Sequence, residues 1–576
     1  MKPIATFDLE TDPFKRNRSP RPFLAGFYDG KTVRIWKGEN CVRDCYKVMR
    51  KFPGYIYAHN GGKFDFRYLL PHLHKDGADL RPIKGRAARF VLPNECKTEF
   101  RDSYCILPVP LKATGGKLEM DYRKLEADVR EKHMPEIVEY LKADLRVLHD
   151  MVSEFVEEYG FGMTLAGRTF AQFKERFNLE PPKTNEFYDD KFRQYYYGGR
   201  VEFFELGHLR GNFQLIDINS AYPAAMVKEH AFGTEWEELT RPPKSGAEQC
   251  FFRFIGESAG GLPWRADDKT LSFGARTGEF FVTGWEYVAA MKAGTLKVSE
   301  YLTILKPCEC RDFKEFVDYF YGMKRKAEKG SSDELFAKLM LNSSYGRFAL
   351  NSRDFRDVKM TDYGEEPDEN KVLRKQIAKL VRTKHPKLKG EAYAEKCAAF
   401  WRGLEDKWEL ANSFEDAGIS IWEKPSEKKK DAFFNVATAA SITGCVRAFM
   451  FESLRAVRRP VYCDTDSIIC EDTGALKMGA DLGDWKLECE SVRDGLWIAA
   501  KKLYALKIKD GKKEWKLASK GVRLSAEEIQ KVANGKTIKT TLEAPTFSIF
   551  TTRSVKGSSR DFVTRTTTRD DLRVRK

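Results

Sequence analysis

No apolar run in this 576-residue chain approaches the roughly 18 residues that a membrane-spanning helix needs, so no such helix is predicted. A zinc site is also missing. Cys308 and Cys310 form a CxC and Cys41 and Cys45 a CxxxC, but no further Cys/His pair completes a tetrahedral set. All twelve cysteines are read as free thiols of a reducing compartment. The first residues enter a predicted strand at once (Ile4 to Phe7) without the apolar h-region of a signal peptide, and a soluble, cytoplasmic protein with no membrane partner is expected. Internal repeats are absent. What is present is positive charge: 100 Lys and Arg against 85 Asp and Glu, a net +15 spread along the chain rather than held in one tail. That surplus suits a polyanion such as nucleic acid, with a generally basic soluble protein as the bland alternative.

Residues 1–185 alternate short apolar strands with helical patterns, an α/β signature. Their clearest helix is predicted from Pro135, with Ile137, Leu141, Leu145, Leu148 and Val152 at helical spacing. A boundary is placed at Pro181, Pro182 and Lys183. Residues 351–432 are highly charged, with Lys384-His385-Pro386-Lys387 and Lys428-Lys429-Lys430, and read as an insertion between core elements. From residue 523 the chain is rich in Thr, Arg and Lys.

The densest chemistry lies in Tyr462-Cys463-Asp464-Thr465-Asp466-Ser467. Apolar runs on both sides predict a β-hairpin with two acids at its tip. On an extended chain, side chains two apart point the same way, so both acids are expected to face one hard cation. The strand Leu215-Ile216-Asp217-Ile218 ends in another acid, and Asp217 completes a cluster with Asp464 and Asp466 suited to two-metal nucleotidyl transfer. Tyr222, just beyond, is placed beneath an incoming sugar, against the plainer reading of a packed turn.

The segment Ser331 to Gly346 reads as a helix with a capping box (Ser331, Glu334) and a glycine stop at Gly346. Lys338, Asn342 and Tyr345 then share one face, a stripe suited to triphosphate, sugar and base, while Leu335, Leu339 and Met340 are core. Lys324, on a preceding helix, would add a second cation in a helical hairpin. Tyr195-Tyr196-Tyr197-Gly198-Gly199-Arg200 and Lys501-Lys502-Leu503-Tyr504 combine rings, glycines and cations in the manner of strand contacts, with a packed aromatic cluster as the alternative.

A second acidic set opens the chain. Asp8-Leu9-Glu10 follows a strand, and Asp65 ends His59-Asn60-Gly61-Gly62-Lys63-Phe64-Asp65. In that run the glycines would let backbone approach a ligand closely, and Phe64 offers a base a ring. Asp144 lies one helical turn beyond Tyr140. Four carboxylates and a tyrosine can hold two divalent ions and orient a water for phosphodiester hydrolysis.

In their order these blocks resemble the protein-primed family B DNA polymerases of viruses and linear plasmids, over nearly the whole chain (residue 6 to about 521). The N-terminal set resembles the DEDDy 3′–5′ exonuclease. The resemblance implies an α/β and α+β multidomain fold: an RNase H-like exonuclease domain (1–185), palm (186–226 and 433–522), fingers (306–350) and thumb (523–576). It also implies two subgroup insertions, 227–305 touching the priming protein and 351–432 serving strand displacement. Asp8, Glu10, Asp65 and Asp144 are then exonuclease metal ligands, with Tyr140 positioning water and Lys117 assisting. Asn60, Phe64 and Ser103 hold single-stranded DNA, although Tyr104 stands where the subgroup often has leucine. Asp217 and Asp466 ligate the polymerase metals, with Asp464 supporting. Tyr222, Lys324, Lys338, Asn342 and Tyr345 hold the nucleotide. Tyr196, Gly198 and Gly199 contact template, and Lys502 and Tyr504 the primer. The implied cofactors are Mg²⁺ or Mn²⁺, two per active site. The implied partners are template-primer DNA, dNTPs and a terminal protein, met by a monomer in a host cytoplasm. Two rival readings stay beside it: the same catalytic body working without a protein primer, and a silent DNA-binding or packaging protein, against which the intact acids argue.

Overall fold

The computed structural model describes residues 2–13, 20–83, 85–114, 118–180, 182, 184–426, 435–511, 513–520, 524–542 and 558–562. Lys117, Pro181, Lys183, Lys428 to Lys430 and most of the Thr/Arg-rich end lie outside them.

The N-terminal unit is a seven-stranded sheet. Its interior strand Ile4–Thr11 pairs antiparallel with Pro22–Tyr28 and parallel with Tyr55–Ala58. The helix Arg130–Tyr159 lies across it, burying Ile137, Leu141, Leu145, Leu148 and Val152, and Thr6 Oγ1 donates to the Leu145 carbonyl at 2.8 Å. This helix starts five residues before the predicted Pro135, which sits inside it. Having no N–H, Pro135 costs the helix the one bond that would have gone to the Glu131 carbonyl.

The second large sheet runs in the order Trp515–Ser519, Leu503–Ile508, Trp485–Ala500, Gln214–Ile218, Ser467–Asp472, Arg458–Asp464, Val201–Phe203. The helix Val436–Ala456 is buried along most of its length. Between Val436 and Phe451 its single charge is Arg447. That guanidinium meets Glu286 at 2.6 Å with both side chains 2% exposed, and donates to the carbonyls of Tyr197 (2.6 Å) and Gly198 (3.2 Å). Glu286 belongs to a capping box with Thr283 at the start of the helix Gly284–Lys292, which packs on the four-stranded sheet formed within residues 236–307. One buried ion pair thus ties three chain segments together.

The charged segment has its own body: a three-stranded sheet (Arg356–Asp362, Ile419–Pro425, Glu409–Phe414) with the helices Asp368–Lys384 and Gly390–Arg402. Phe414, Ile419 and Ile421 share a core with Phe66, Leu69, Leu70 and Leu73 of the N-terminal unit. Ion pairs Arg67–Asp416 (2.8 Å) and His74–Asp362 (2.9 Å) flank that seam. The insertion is therefore seated on the helix that begins at Asp65.

The helix near residue 340 spans Ser332–Ser343. Ser331 Oγ accepts from the Glu334 N–H as expected, but the Glu334 carboxylate takes the Gly330 N–H (2.6 Å), so the predicted reciprocal bond to Ser331 is replaced by one a residue upstream. Gly346 is no left-handed stop: the chain leaves through a 3₁₀ turn at Tyr345–Arg347. The C-cap is Ser344, whose buried hydroxyl returns to the Leu341 carbonyl at 2.8 Å.

Removing one partner of a buried pair leaves a charge without solvation, a loss of about 3–5 kcal/mol. Arg447→Ala and Glu286→Ala should each lower unfolding stability by about that amount, and the double variant by clearly less than the sum. Additive losses in denaturant titrations would mean that the two charges act independently.

Two candidate carboxylate centres

The first centre is built by strand register. Strands Arg458–Asp464 and Ser467–Asp472 form the predicted hairpin, with Thr465 and Asp466 at its turn. Gln214–Ile218 lies beside the second strand, so that Asp217 faces Ser467 and the Ile218 N–H donates to the Asp466 carbonyl at 2.9 Å. Asp217 and Asp466 are thereby neighbours from segments some 250 residues apart in sequence. Burial, then the charges of Asp466 and Glu488, push the Asp217 carboxyl up to about 6. Burial also raises Asp466, with Asp464 adding to it.

The chain between Asp464 and Asp466 is not extended. Thr465 adopts φ +63°, which turns the backbone between them. Asp464 is held by the Lys502 ammonium, with one contact at 2.5 Å, and receives the Thr465 hydroxyl at 3.2 Å. Lys502 is itself in a turn at φ +58°, and its N–H donates to the Tyr462 hydroxyl at 2.9 Å. The Tyr504 ring is buried edge-on against Tyr462, 5.2 Å between centroids.

Around this pair stand the nucleotide candidates. Tyr222 and Tyr345 stack face to face, 3.9 Å apart and 7° from parallel. Lys338 and Asn342 are exposed on the helix Ser332–Ser343, while Leu335 and Leu339 are only partly buried beside the core residue Met340. Lys324, on the adjoining helix Lys314–Lys326, donates to Ser220 at 3.3 Å. Burial and the nearby Lys338 charge lower its pKa, so the two ammonium groups share one region.

Gly199 lies against the hairpin tip: a Cβ there would fall 2.7 Å from Thr465 side-chain atoms. Thr465 N–H donates to the Arg200 carbonyl at 2.7 Å. Gly198 is open to solvent, and Tyr196 is partly buried with its carbonyl accepting from Arg265 at 2.8 Å.

The second centre lies in the N-terminal unit. Asp8 and Glu10 project from Ile4–Thr11, and Asp65 opens the helix Asp65–Lys75. Burial and the Asp8 charge raise the Asp65 carboxyl well above the usual range, and its Oδ1 is buried without a hydrogen-bond donor. Tyr140 is raised by burial, then by Asp144, Tyr122 and Glu10, which places those groups together.

Gly61 and Gly62 are buried against neighbouring protein atoms. The Gly62 N–H donates to Asp102 at 3.1 Å, and a Cβ would sit 2.1 Å from the Ala87 carbonyl. Asp102 also binds Arg86 at 2.6 Å, and Arg86 donates to the side-chain Oδ1 of Asn60 at 2.7 Å. Asn60 is at φ +61°. Phe64 is half-buried, edge-on to Tyr68. Ser103 is fully buried, its hydroxyl 3.0 Å from His59 Nδ1.

Sequence reasoning missed Arg447, Glu286, Glu488 and Arg86. A lone arginine in an otherwise apolar helix was the legible signal for the first. The others depend on partners distant in sequence.

Both acid sets fit hard divalent cations. Asp65 keeps a buried oxygen without a donor, and Asp217 and Asp466 repel one another in a partly desolvated site. Among the described residues no three His, Cys, Asp or Glu side chains close on one point. One or two carboxylates completed by phosphates and water are the usual Mg²⁺ shell.

Because Asp217 binds its proton more tightly folded than unfolded, metal-free stability should fall as pH rises from about 4 through about 6. Asp217→Asn should therefore stabilise the metal-free protein at pH 7 and lose that advantage near pH 4. Melting curves showing the same difference at both pH values would contradict the assigned repulsion.

Residues 121–393 match the family described as DNA polymerase type B, organellar and viral. The chain is 35% identical to the DNA-directed DNA polymerase of Enterobacteria phage PRD1 over 598 aligned residues, 96% of this chain and 98% of that protein. It is 26% identical to the DNA polymerase of Bacillus phage phi29 over 58% of this chain and 65% of that one. The fold matches solved phi29 DNA polymerase with a TM-score of 0.69 at 17% identity, covering 98% of this chain and 100% of that one. The same score relates it to that enzyme complexed with primer-template DNA and incoming nucleotide substrates. The architecture is accordingly an exonuclease-type α/β unit joined to a polymerase of palm, fingers and thumb. No described helix is long and apolar enough to cross a membrane. The chain belongs to the family B DNA polymerases of the protein-primed phi29/PRD1 type.

Proposed function

We propose that this DNA-directed DNA polymerase begins strands on a terminal-protein hydroxyl, displaces the strand ahead, and proofreads at a separate 3′–5′ exonuclease centre. The single observation that carries two activities is the presence of two acid centres on two different sheets of one chain. Support for protein priming comes from the PRD1 likeness across almost the full length.

At the synthetic centre Asp217 and Asp466 hold the divalent cofactor, Mg²⁺ or Mn²⁺. When bound, two such ions lower the pKa of the primer 3′ hydroxyl and neutralise the triphosphate. Lys502, paired with Asp464, offsets part of the repulsion that this third acid adds to Asp466. The Tyr222–Tyr345 stack forms a flat floor for the incoming sugar and bars a 2′ hydroxyl. Lys338 and Lys324 offer cations to the phosphates, and Asn342 an amide to the nucleotide. Arg447 fixes the Tyr197 and Gly198 carbonyls, and so the Tyr196 to Gly199 loop, beside the hairpin tip that template must pass.

At the degradative centre Asp8, Glu10, Asp65 and Asp144 hold the ions while Tyr140 orients water. Lys117 assists on the family likeness alone. Asn60, Phe64 and His59 backed by Ser103 guide the single strand. Residues 1–185 carry this centre. The pieces 186–226 and 433–522 form the palm, 306–350 the fingers and 523–576 the thumb. The insertion 227–305 meets the priming protein, and 351–432 serves strand displacement. The enzyme works as a monomer in the host cytoplasm.

Asp466→Ala should reduce nucleotide incorporation to background and leave degradation of single-stranded DNA intact, and Asp8→Ala should do the reverse. Loss of both activities in either folded variant would contradict two separate centres. Incubated with a candidate terminal protein, labelled dATP and Mg²⁺ or Mn²⁺, the enzyme should label that protein. Robust synthesis on bare template with no labelled adduct would favour initiation without a protein primer.

A further inference from the structure

From Lys371 to Lys389 the chain holds eight Lys and Arg residues and no Asp or Glu. The helix Asp368–Lys384 arranges the charge asymmetrically. Ile377 and Val381 are its buried side, while Lys371, Lys375, Lys379 and Arg382 follow at i, i+4, i+8 and i+11 and form one exposed stripe on the opposite side. Lys371 pairs with Asp368 at 2.9 Å, and Arg374, off the stripe, pairs with Glu366 and lies 3.9 Å over the Trp401 ring. Lys375, Lys379 and Arg382, with Lys384 at the end of the helix and Lys387 and Lys389 beyond it, have no carboxylate at ion-pair distance among the described residues. Like charges one turn apart cost a helix about 0.2–0.5 kcal/mol per pair, offset here only in part by the Lys371–Asp368 pair and by the Arg382 guanidinium, 5.6 Å over the Tyr393 ring. Three turns of helix span roughly 16 Å, a length of duplex carrying about ten phosphates.

The stripe is also rigidly carried. Its sheet is fastened to the N-terminal unit by the Arg67–Asp416 and His74–Asp362 pairs and by the buried seam of Phe414, Ile419 and Ile421. A cation row mounted on the catalytic body, rather than on a tether, suits a stiff polyanion held in one place.

We propose that the Lys375–Lys379–Arg382 stripe grips the phosphate backbone of the duplex lying ahead of the growing strand, a contact separate from both acid centres. The proposal rests on the reading of the chain as a polymerase acting at a fork. Its test compares two substrates: a primed template with a downstream duplex, and the same template left single-stranded. The probe protein is the full chain carrying Lys375→Gln, Lys379→Gln and Arg382→Gln together. These positions are exposed and helix-compatible, and extension of the open template serves as the folding control.

Wild type should bind the forked substrate more tightly than the open one. The triple variant should lose that increment, with the slope of log affinity against log salt on the forked substrate reduced by about 3, one unit per phosphate contact. An increment equal to that of wild type overturns the proposal. So does an equal loss on both substrates, which would put the stripe on the template strand, and so does loss of binding to anionic lipid vesicles with DNA binding unchanged. Failure of both proteins to extend the open template would instead remove the polymerase reading itself.

Discussion

Everything catalytic in the polymerase half depends on one register: Gln214–Ile218 lies beside the hairpin so that Asp217 faces Ser467. Side chains on a strand alternate, so a slip of one residue would send Asp217 to the opposite face and bury Ile216 or Ile218 wrongly. The apolar neighbours Leu215, Ile216 and Ile218, each nearly inaccessible, make that slip expensive. The hydrophobic pattern of the strand thereby sustains two carboxylates in mutual repulsion. The strain is local, and its electrostatic sign invites a cation.

Lys502 gives this arrangement its asymmetry. Three acids lie near the hairpin tip, yet one has its charge matched by an ammonium and two do not. Left-handed backbone at Thr465 and at Lys502 accompanies this division. Gly199, pressed on Thr465, links the same turn to the aromatic loop that Arg447 holds. Substrate track and acid pair are thus parts of one packed unit.

Much of this was legible in the sequence. The hairpin followed from apolar runs flanking a short acidic turn, and the helix core from Ile137, Leu141 and Leu145 at helical spacing. The helix boundary near Pro135 was missed because proline marks a first turn only statistically. At Gly346, a serine hydroxyl returning to its own helix did the work expected of glycine. The assumption of an extended chain between Asp464 and Asp466 failed at a single positive φ, which the identity of threonine does not announce. Least legible were contacts made across long sequence separations: Arg447 with Glu286, and the charged insertion seated on the helix after Asp65. Charge composition flagged that insertion as a separate body but carried no information about which surface it would cover.

The central claim is that Asp217 and Asp466, and not Asp464, share a divalent ion. Anomalous diffraction from crystals grown with Mn²⁺, template-primer and a non-reactive nucleotide tests it directly. A peak within roughly 2.0–2.3 Å of carboxylate oxygens from both Asp217 and Asp466, with Lys502 still on Asp464, is the predicted result. A metal bound by Asp464 in place of either residue would contradict the account.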